Sequence, residues 1–445
     1  MSKSNTTTLI DFCDYCRSQF PTNKEKVTIG GEFEYPLVGL GEDGEFRLGS
    51  VGAVMDHLGR CGWKEILSDG ELAGYEQIGN GSGSVVYEFV PWIMELNSPV
   101  MESVPQMQNW FERIMPMLSQ AASHGNDHIL GHGLVPMEVS KQLVAKEYIK
   151  LPRYLALFRA YGDRLVHFGH IASVQGHVGV DFERFLDMLN VINRLSCVFI
   201  GLFANAPFKG HVAYRVSCWQ ALGESRSGIL PWFDSFEDYM SYIWNENFVF
   251  YQEDTGDYDI LKDTSFGSFL EQRGISDPLT VLEHFKMHMS CFWPDARLNP
   301  KGWTFEHRPV CQQRPSEQFD PILLLSLCAK PDVLAELKDL AQQHDHDFWR
   351  DIRQSAILEG VASKAVRQMA RQVLGIITHN VGTMEADALG RVLQRVDKGN
   401  KDPLPAELAL DFINAKDREG FLRKFAFPQT TSQTTLVDVS AAGRT

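Results

Sequence analysis

The sequence has no Gly-x-x-x-x-Gly-Lys followed by serine or threonine, and no Gly-x-Gly-x-x-Gly behind a strand-like run. A nucleotide, if one binds, is therefore held by neither a P-loop nor a Rossmann turn. Positive charge is scarce: 42 lysines and arginines against 57 aspartates and glutamates leave a net charge of -15. That balance argues against nucleic acid or a membrane as the main partner, because neutralising phosphates takes a basic surface, but it allows a local basic pocket for a nucleotide. The most apolar stretch, 191–208, is broken by Asn193, Arg194 and Asn205 and reads as a buried helix rather than a membrane span. No basic cluster backed by an apolar run opens the chain, so the expected location is cytoplasmic. The eight cysteines are scattered, as befits reduced thiols. Cys13 and Cys16 form a CxxC, but no second pair stands at zinc-finger spacing, and the two read as side chains of an N-terminal helix. There is no internal repeat.

What is present is the composition of a soluble globular protein, 44% hydrophobic and 22% charged over 445 residues, enough for one large domain with a helical addition. Residues 1–26 read as a helix and a polar turn. Across 27–316 strand-like runs (VTIGGEFEYPL, SVVYEFVPWIMELNS, HIASVQGHVGVD) alternate with helical patterns around 107–122, 182–203 and 279–292. Residues 317–425 read as helical, and 426–445 lack an apolar face and read as a disordered tail. Strands mixed with helices without a regular βαβ rhythm predict an α+β fold with a mainly antiparallel sheet. The stretch 233–272, polar and rich in aromatics, reads either as a lid or as an ordinary acidic surface loop. In HDHDFWRD, around 344–351, an aspartate opening a helix is the simpler reading than a metal site.

Four segments carry polar groups at strand spacing. In GGEFEYPL, Glu32 and Glu34 point one way and Phe33 and Tyr35 the other; the face is either solvated or a pair of magnesium ligands. YEFVPWIMELNSPV places Glu88 and Glu95 in a second strand-like segment bent at Pro91, with Glu95 among apolar neighbours, where a lone carboxylate is costly to bury. SVQGHVGVD puts Ser173, Gln175 and His177 on one face, His177 being either a satisfied core histidine or a ligand. In GWTFEHRP, Thr304, Glu306 and Arg308 share a face; together with Arg297 upstream they form either local ion pairs or a site for both a cation and an anion. If these strands are neighbours, their carboxylates and histidine converge into an oxygen-rich cluster that suits magnesium, and the arginines make it suited to phosphoryl transfer.

These segments resemble glutamate–cysteine ligase family 2, the carboxylate–amine ligases. The matching motifs run in order from 29 to 315: Gly30-Gly31-Glu32-Phe33-Glu34, Glu95-Leu96-Asn97-Ser98-Pro99, SVQGHVG, Ala204-Asn205-Ala206-Pro207-Phe208 with Gly210, Tyr214-Arg215 and Trp219, then Trp293-Pro294-Asp295-Ala296-Arg297 with Glu306 and Arg308. The chain departs from the family pattern at Ala206, at Asn97 and in Pro309-Val310-Cys311-Gln312. The resemblance implies a curved, mainly antiparallel glutamine-synthetase-like half-barrel in 27–316 with a helical part packed on it.

It also implies an ADP-forming reaction in which ATP activates a carboxylate as an acyl-phosphate that an amine then attacks. Glu32, Glu34, Glu88, Glu95, His177 and Glu306 would hold two or three magnesium ions, and Arg297 and Arg308 would stabilise the transferring phosphoryl group. Gln175, Tyr214, Arg215, Trp219 and Arg226 would shape the substrate or nucleotide pocket. The expected substrates are a small carboxylate such as an amino acid and an amine. A protein or peptide acceptor and a homodimer stay open. The competing functions are a catalytically inactive ligase-like binding protein and an ATP-independent metal-dependent amidohydrolase.

Overall fold

A computed structural model describes residues 3–22, 27–79, 83–223, 225–253, 256–397 and 404–429. Of the polar turn expected within 1–26, residues 23–26 lie outside the described residues, as does the expected 426–445 tail from 430 onward; its first residues, 426–429, are described, with Phe427 buried and its amide donating to the Ile129 carbonyl at 2.9 Å.

Ten strands form one sheet: β1 (Thr28–Leu40), β2 (Phe46–Leu48), β3 (Lys64–Ser68), β4 (Glu71–Glu76), β5 (Ser84–Tyr87), β6 (Ile93–Asn97), β7 (Asp127–Ile129), β8 (Val174–Gly179), β9 (Ala296–Asn299) and β10 (Thr304–His307). Their order is β9-β10-β8-β1-β6-β5-β4-β3, with β2 and β7 pairing the far half of β1. Every pairing is antiparallel. With helices around the sheet and a helical C-terminal part from Asp320–Cys328 onward, the fold is α+β, as the irregular alternation predicts.

The period-two alternation of β1 separates its two faces. Phe33 and Tyr35 are fully buried; Phe33 packs 5.8 Å, ring to ring, from both Phe111 and Phe319, and the Tyr35 hydroxyl donates to Gln318 Oε1 at 2.7 Å. On this apolar side Gly31 of β1 sits opposite Gly176 of β8. A Cβ on Gly31 would lie 2.8 Å from Ile322 Cδ1, and one on Gly176 2.8 Å from Leu325 Cδ2. The two glycines let helix Asp320–Cys328 press against the sheet, and that contact backs the strands whose other face carries the charges.

The long apolar helix is Phe182–Leu202, close to the expected 182–203. By length and composition it is the one helix among the described residues able to cross a membrane, yet 89% of its apolar window is buried inside the protein. It packs against helices Pro331–Ala341, His346–Glu359 and Lys364–Asn380. Asp345 opens His346–Glu359, its side chain accepting from the Phe348 amide at 2.9 Å, so the HDHD run is a helix start. Cys13 and Cys16 are buried on helix Lys3–Gln19.

Two expectations need correction. The segment 84–97 is not one bent strand but a hairpin, β5 and β6, with Val86 opposite Glu95; Pro91 lies in the connection, and Glu88 sits there rather than on a strand. The polar reading of 233–272 also misses how much of it is core. Helices Phe236–Asn245 and Phe266–Arg273 bury Phe236, Tyr239, Trp244 and Phe266. The small hairpin of Phe250–Gln252 and Tyr258–Ile260 reaches Asp69 in the β3–β4 turn, where Gln252 Nε2 donates to Oδ1 at 2.7 Å and the Tyr258 hydroxyl to Oδ2 at 3.3 Å.

Candidate active site

Register carries the polar groups onto one face. Glu34 stands opposite Glu95 of β6, and Glu32 opposite Asn97 of β6 and Gln175 of β8. His177 stands opposite Glu306 of β10, which stands opposite Arg297 of β9. Four segments separated by up to 270 residues thus meet as adjacent strands. Glu32, Glu34, Glu95, Gln175, Arg297 and Arg308 line a cavity of 490 Å³, and Glu88 enters it from the β5–β6 connection. Leu151, Leu157, Leu165 and Phe168 form an apolar part of its wall, from helix Pro152–Tyr161 and the 3-10 helix Gly162–Gly169.

The cavity has an acidic end and a basic end. Carboxylate oxygens of Glu34, Glu88 and Glu95 lie within 4.8 Å of one another. Gln175 Nε2 donates to Glu34 Oε1 at 2.9 Å, Asn97 Nδ2 to Glu95 Oε1 at 2.9 Å, and the Tyr154 hydroxyl to Glu88 Oε2 at 3.2 Å. Three donors do not neutralise three buried like charges. Burial, and then the charge of Glu34, raise the Glu88 carboxyl to about 8, and burial with the charges of Glu32, Glu88 and Glu34 holds Glu95 well above the carboxylate range. At the other end Glu306 is fully buried, with Arg297 Nη2 at 2.9 Å and the Arg308 guanidinium also donating to its Oε1. Burial opposes its ionisation, but the two arginines outweigh burial and hold Glu306 well below the usual range. Between the two ends, His177 Nε2 lies 3.2 Å from Glu32 Oε1. Burial works against both charges, yet the pair holds the carboxyl low and the imidazole high.

The donor set fits a hard divalent cation. It is made of carboxylate oxygens with one imidazole, the ionisation of Glu88 and Glu95 is opposed by burial and by their neighbours in a way a cation would relieve, and Glu306 Oε2 and Gln175 Oε1 are buried with no partner among the described residues.

The other expected residues are placed unevenly. Trp219 lines the cavity, 4.3 Å ring to ring from Phe168, with the guanidiniums of Arg215 and Arg308 over its ring at 5.8 and 5.4 Å. Arg215 does not line the cavity. It is 1% exposed and donates to the Arg308 carbonyl at 2.8 Å, while its Nε and Nη2 have no hydrogen-bond partner among the described residues. Arg226 is also away from the cavity, its guanidinium donating to the carbonyls of Cys291 and Asn247, which makes it a strut between chain segments rather than a visible substrate ligand. Tyr214 faces a second cavity.

Sequence reasoning missed Arg153, Tyr154, Lys286 and Lys301, all of which line the main cavity. One signal was available for Arg153. Pro152 starts its helix, so a cation stands in the first turn, where the helix dipole disfavours it.

Residues 51–369 match the profile of glutamate-cysteine ligase family 2 (GCS2). The chain belongs to glutamate-cysteine ligase family 2, although the matched range leaves out β1 with Glu32 and Glu34. No protein of curated function matches the sequence. Among solved structures, a bifunctional glutathione synthetase from Pasteurella multocida aligns at 13% identity with a TM-score of 0.45; the match covers 93% of this chain, which spans about half, 52%, of that one. A glutamate–cysteine ligase from Francisella tularensis in complex with AMP aligns at 11% identity with a TM-score of 0.47, covering 91% of this chain and 90% of that chain.

Proposed function

We propose that this protein is an ATP-dependent ligase that converts a small carboxylate into an acyl-phosphate and joins it to an amine, releasing ADP and phosphate. The observation that carries the reading is the cluster of Glu34, Glu88 and Glu95 in a cavity whose opposite end presents Arg297 and Arg308. Glu32, Glu34, Glu88, Glu95, His177 and Glu306 are the residues that would hold divalent cations. When bound, magnesium neutralises the triphosphate and polarises its terminal phosphoryl group.

The chain's own groups have separate tasks. Arg297 and Arg308, locked by Glu306, present N–H donors to the charge that builds on the transferring phosphoryl group. The carboxylate oxygen of the substrate attacks the γ-phosphorus and the bond to ADP breaks. The amine, having first lost one proton to solvent, attacks the acyl carbon; the bond from that carbon to the phosphate oxygen breaks, and the departing phosphate takes the second proton from nitrogen. Leu151, Leu157, Leu165 and Phe168 keep water from the acyl-phosphate. Arg153 and Lys286, on the cavity wall, are suited to the free carboxylate of an amino-acid substrate.

The test is a screen of paired amino acids and amines for magnesium- and ATP-dependent release of ADP and phosphate, repeated with Glu95→Gln and Glu306→Gln. The expected result is release that needs both substrates and disappears in both variants. Amide hydrolysis without ATP would identify a hydrolase instead, and failure to bind any nucleotide would leave a binding protein.

A further inference from the structure

A second cavity, of 270 Å³, has a lining separate from that of the main one and belongs to none of the chemistry above. The chain ahead of and into helix Lys141–Glu147 supplies Met137, Val139 and Lys141. The 3-10 helix Gly162–Gly169 supplies Val166 and His167. The turn at Phe208 supplies Phe208 and Lys209, and Tyr214 closes the far side, its ring 4.9 Å from that of Phe208.

Its charge is one-sided. Lys141 and Lys209 both face the cavity, and among the described residues neither makes an ion pair; Glu138 is the one acidic side chain on the lining. His167, whose Nδ1 is 3.4 Å from the Tyr214 hydroxyl, is kept below its ordinary value by burial and then by these two lysines, a sign of positive potential inside. The cavity therefore joins an apolar, partly aromatic body to a cationic rim.

Lys209 supplies an independent observation. Phe208 and His211 exchange backbone hydrogen bonds of 2.9 and 3.0 Å around Lys209 and Gly210, both with positive φ, 48° and 80°. Such two-residue turns favour asparagine or glycine at the first position, and a lysine there is strained. The Lys209 ammonium lies 5.0 Å from the centroid of the Phe208 ring, and a strained backbone position that holds a cation without a carboxylate partner at the lip of a cavity is the pattern of a ligand site.

We propose that this cavity binds a small organic carboxylate with an apolar body, its carboxylate held by Lys141 and Lys209 and its body lying against Phe208, Tyr214 and Val166. The site shares walls with the main cavity. Leu165 and Phe168 of the same 3-10 helix face the main cavity, and helix Tyr214–Gln220 places Tyr214 in one cavity and Trp219 in the other.

The probe is 3-phenylpropionate, with 3-phenylpropanol as its uncharged counterpart, titrated calorimetrically into the full chain and into two variants. Lys209→Asn suits the turn better than lysine, so it should fold at least as stably as the parent while weakening 3-phenylpropionate by about tenfold or more. Glu95→Gln, in the main cavity, should bind the probe as the parent does. The alcohol should bind far more weakly than the acid. The proposal is overturned if the parent shows no binding up to about 10 mM, if acid and alcohol bind alike, or if Glu95→Gln abolishes binding while Lys209→Asn leaves it intact, which would put the probe in the main cavity.

Discussion

Glu95 shares its buried cavity with Glu34 and Glu88, and in the metal-free protein a carboxyl placed to hold a cation also opposes folding. Burial and the neighbouring carboxylates force Glu95 to hold a proton that the unfolded chain would have lost; Glu95→Gln needs no such proton and keeps the donor from Asn97, so at neutral pH the metal-free variant should be more stable than the parent by about 1–3 kcal/mol. It should also lose the stabilisation that magnesium gives the parent. Urea denaturation with and without magnesium measures both, and a variant that is less stable without metal would contradict the clustering. Glu88 gives the same physics a pH axis. Its carboxyl titrates at about 8 folded against 4.5 unfolded, so the unfolded chain loses its proton first. Metal-free stability is therefore full below about 4.5 and falls as pH rises toward 8, by about 1.4 kcal/mol per pH unit for this group alone; saturating magnesium should flatten that limb. At this scale the sequence was a good guide where spacing decided the matter and a poor one elsewhere. Glu32 with Glu34, and Glu306 with Arg308, were legible because two residues along a strand share a face. Tyr214 and Trp219 sit in one motif, but five residues along a helix put them on different sides, whereas Arg215 and Trp219, four apart, meet.

Elements set the distances that the residues need, and two contacts outside the cavity should govern it. The first is the glycine pair beneath the sheet. Gly176→Ala drives a Cβ to 2.8 Å from Leu325 Cδ2, and the 1% exposed leucine has little room to yield. A loss of about 1–3 kcal/mol is expected, read from the denaturation midpoint, with the charged face still assembled in the folded fraction. The second is the buried ion pair of Asp295 and Arg353, in which Arg353 Nε and Nη2 donate to the two carboxylate oxygens at 2.5 and 2.7 Å. It fastens helix His346–Glu359 to the residue two before Arg297, and the Asp295 carbonyl also accepts the Arg308 amide at 2.9 Å. Asp295→Asn should cost about 3–5 kcal/mol by leaving the guanidinium buried and under-paired, whereas Asp295→Leu with Arg353→Met should recover most of that stability. Ligase turnover should fall in both, since the clamp that holds the two arginines is gone in both; full turnover in the double variant would show that the clamp does not position them. The sequence announced the strands and the long helices because period and length declare them. It did not announce the β5–β6 hairpin: Pro91 reads as a bend within one strand, because the apolar residues on either side of it continue the strand pattern and no glycine or asparagine marks a tight reversal. Nor did it reveal that helices carry Arg153 and Lys286 to the cavity, because only tertiary packing decides which helix faces which cleft.

For the molecule as a whole, pH sets two opposed trends whose balance can be derived. His132 and His288 are buried and neutral, held down to about 4 and about 3 chiefly by burial. His132 lies 5.2 Å, ring to ring, from both Phe421 and Phe425, and so belongs to the packing of the last helix, Arg418–Phe425. His288 donates from Nε2 to the Ile243 carbonyl at 3.0 Å and stacks 4.8 Å from Phe266. The unfolded chain takes up these protons near 6.5, so below that pH the unfolded state binds more protons and is favoured. Stability falls as pH drops from about 6.5 toward 4 for His132 and toward 3 for His288, by about 1.4 kcal/mol per pH unit each. Carboxylates held low in the fold, Glu306 and Asp181 among them, add to the loss at the acid end. Above 4.5 the raised carboxyls of Glu88 and Glu95 act in the opposite sense. The metal-free protein should therefore show a stability maximum between the two limbs, in mildly acidic solution, instead of a plateau through neutral pH. Magnesium acts on one limb only, lifting the alkaline side and leaving the acid side where the buried histidines put it. His288→Gln, whose amide N–H can replace Nε2 as the donor to Ile243, should shallow the acid limb and leave the alkaline one unchanged. If magnesium instead raised stability equally at every pH, the cation would not be neutralising Glu88 and Glu95, and the acidic end of the cavity would not be where it binds.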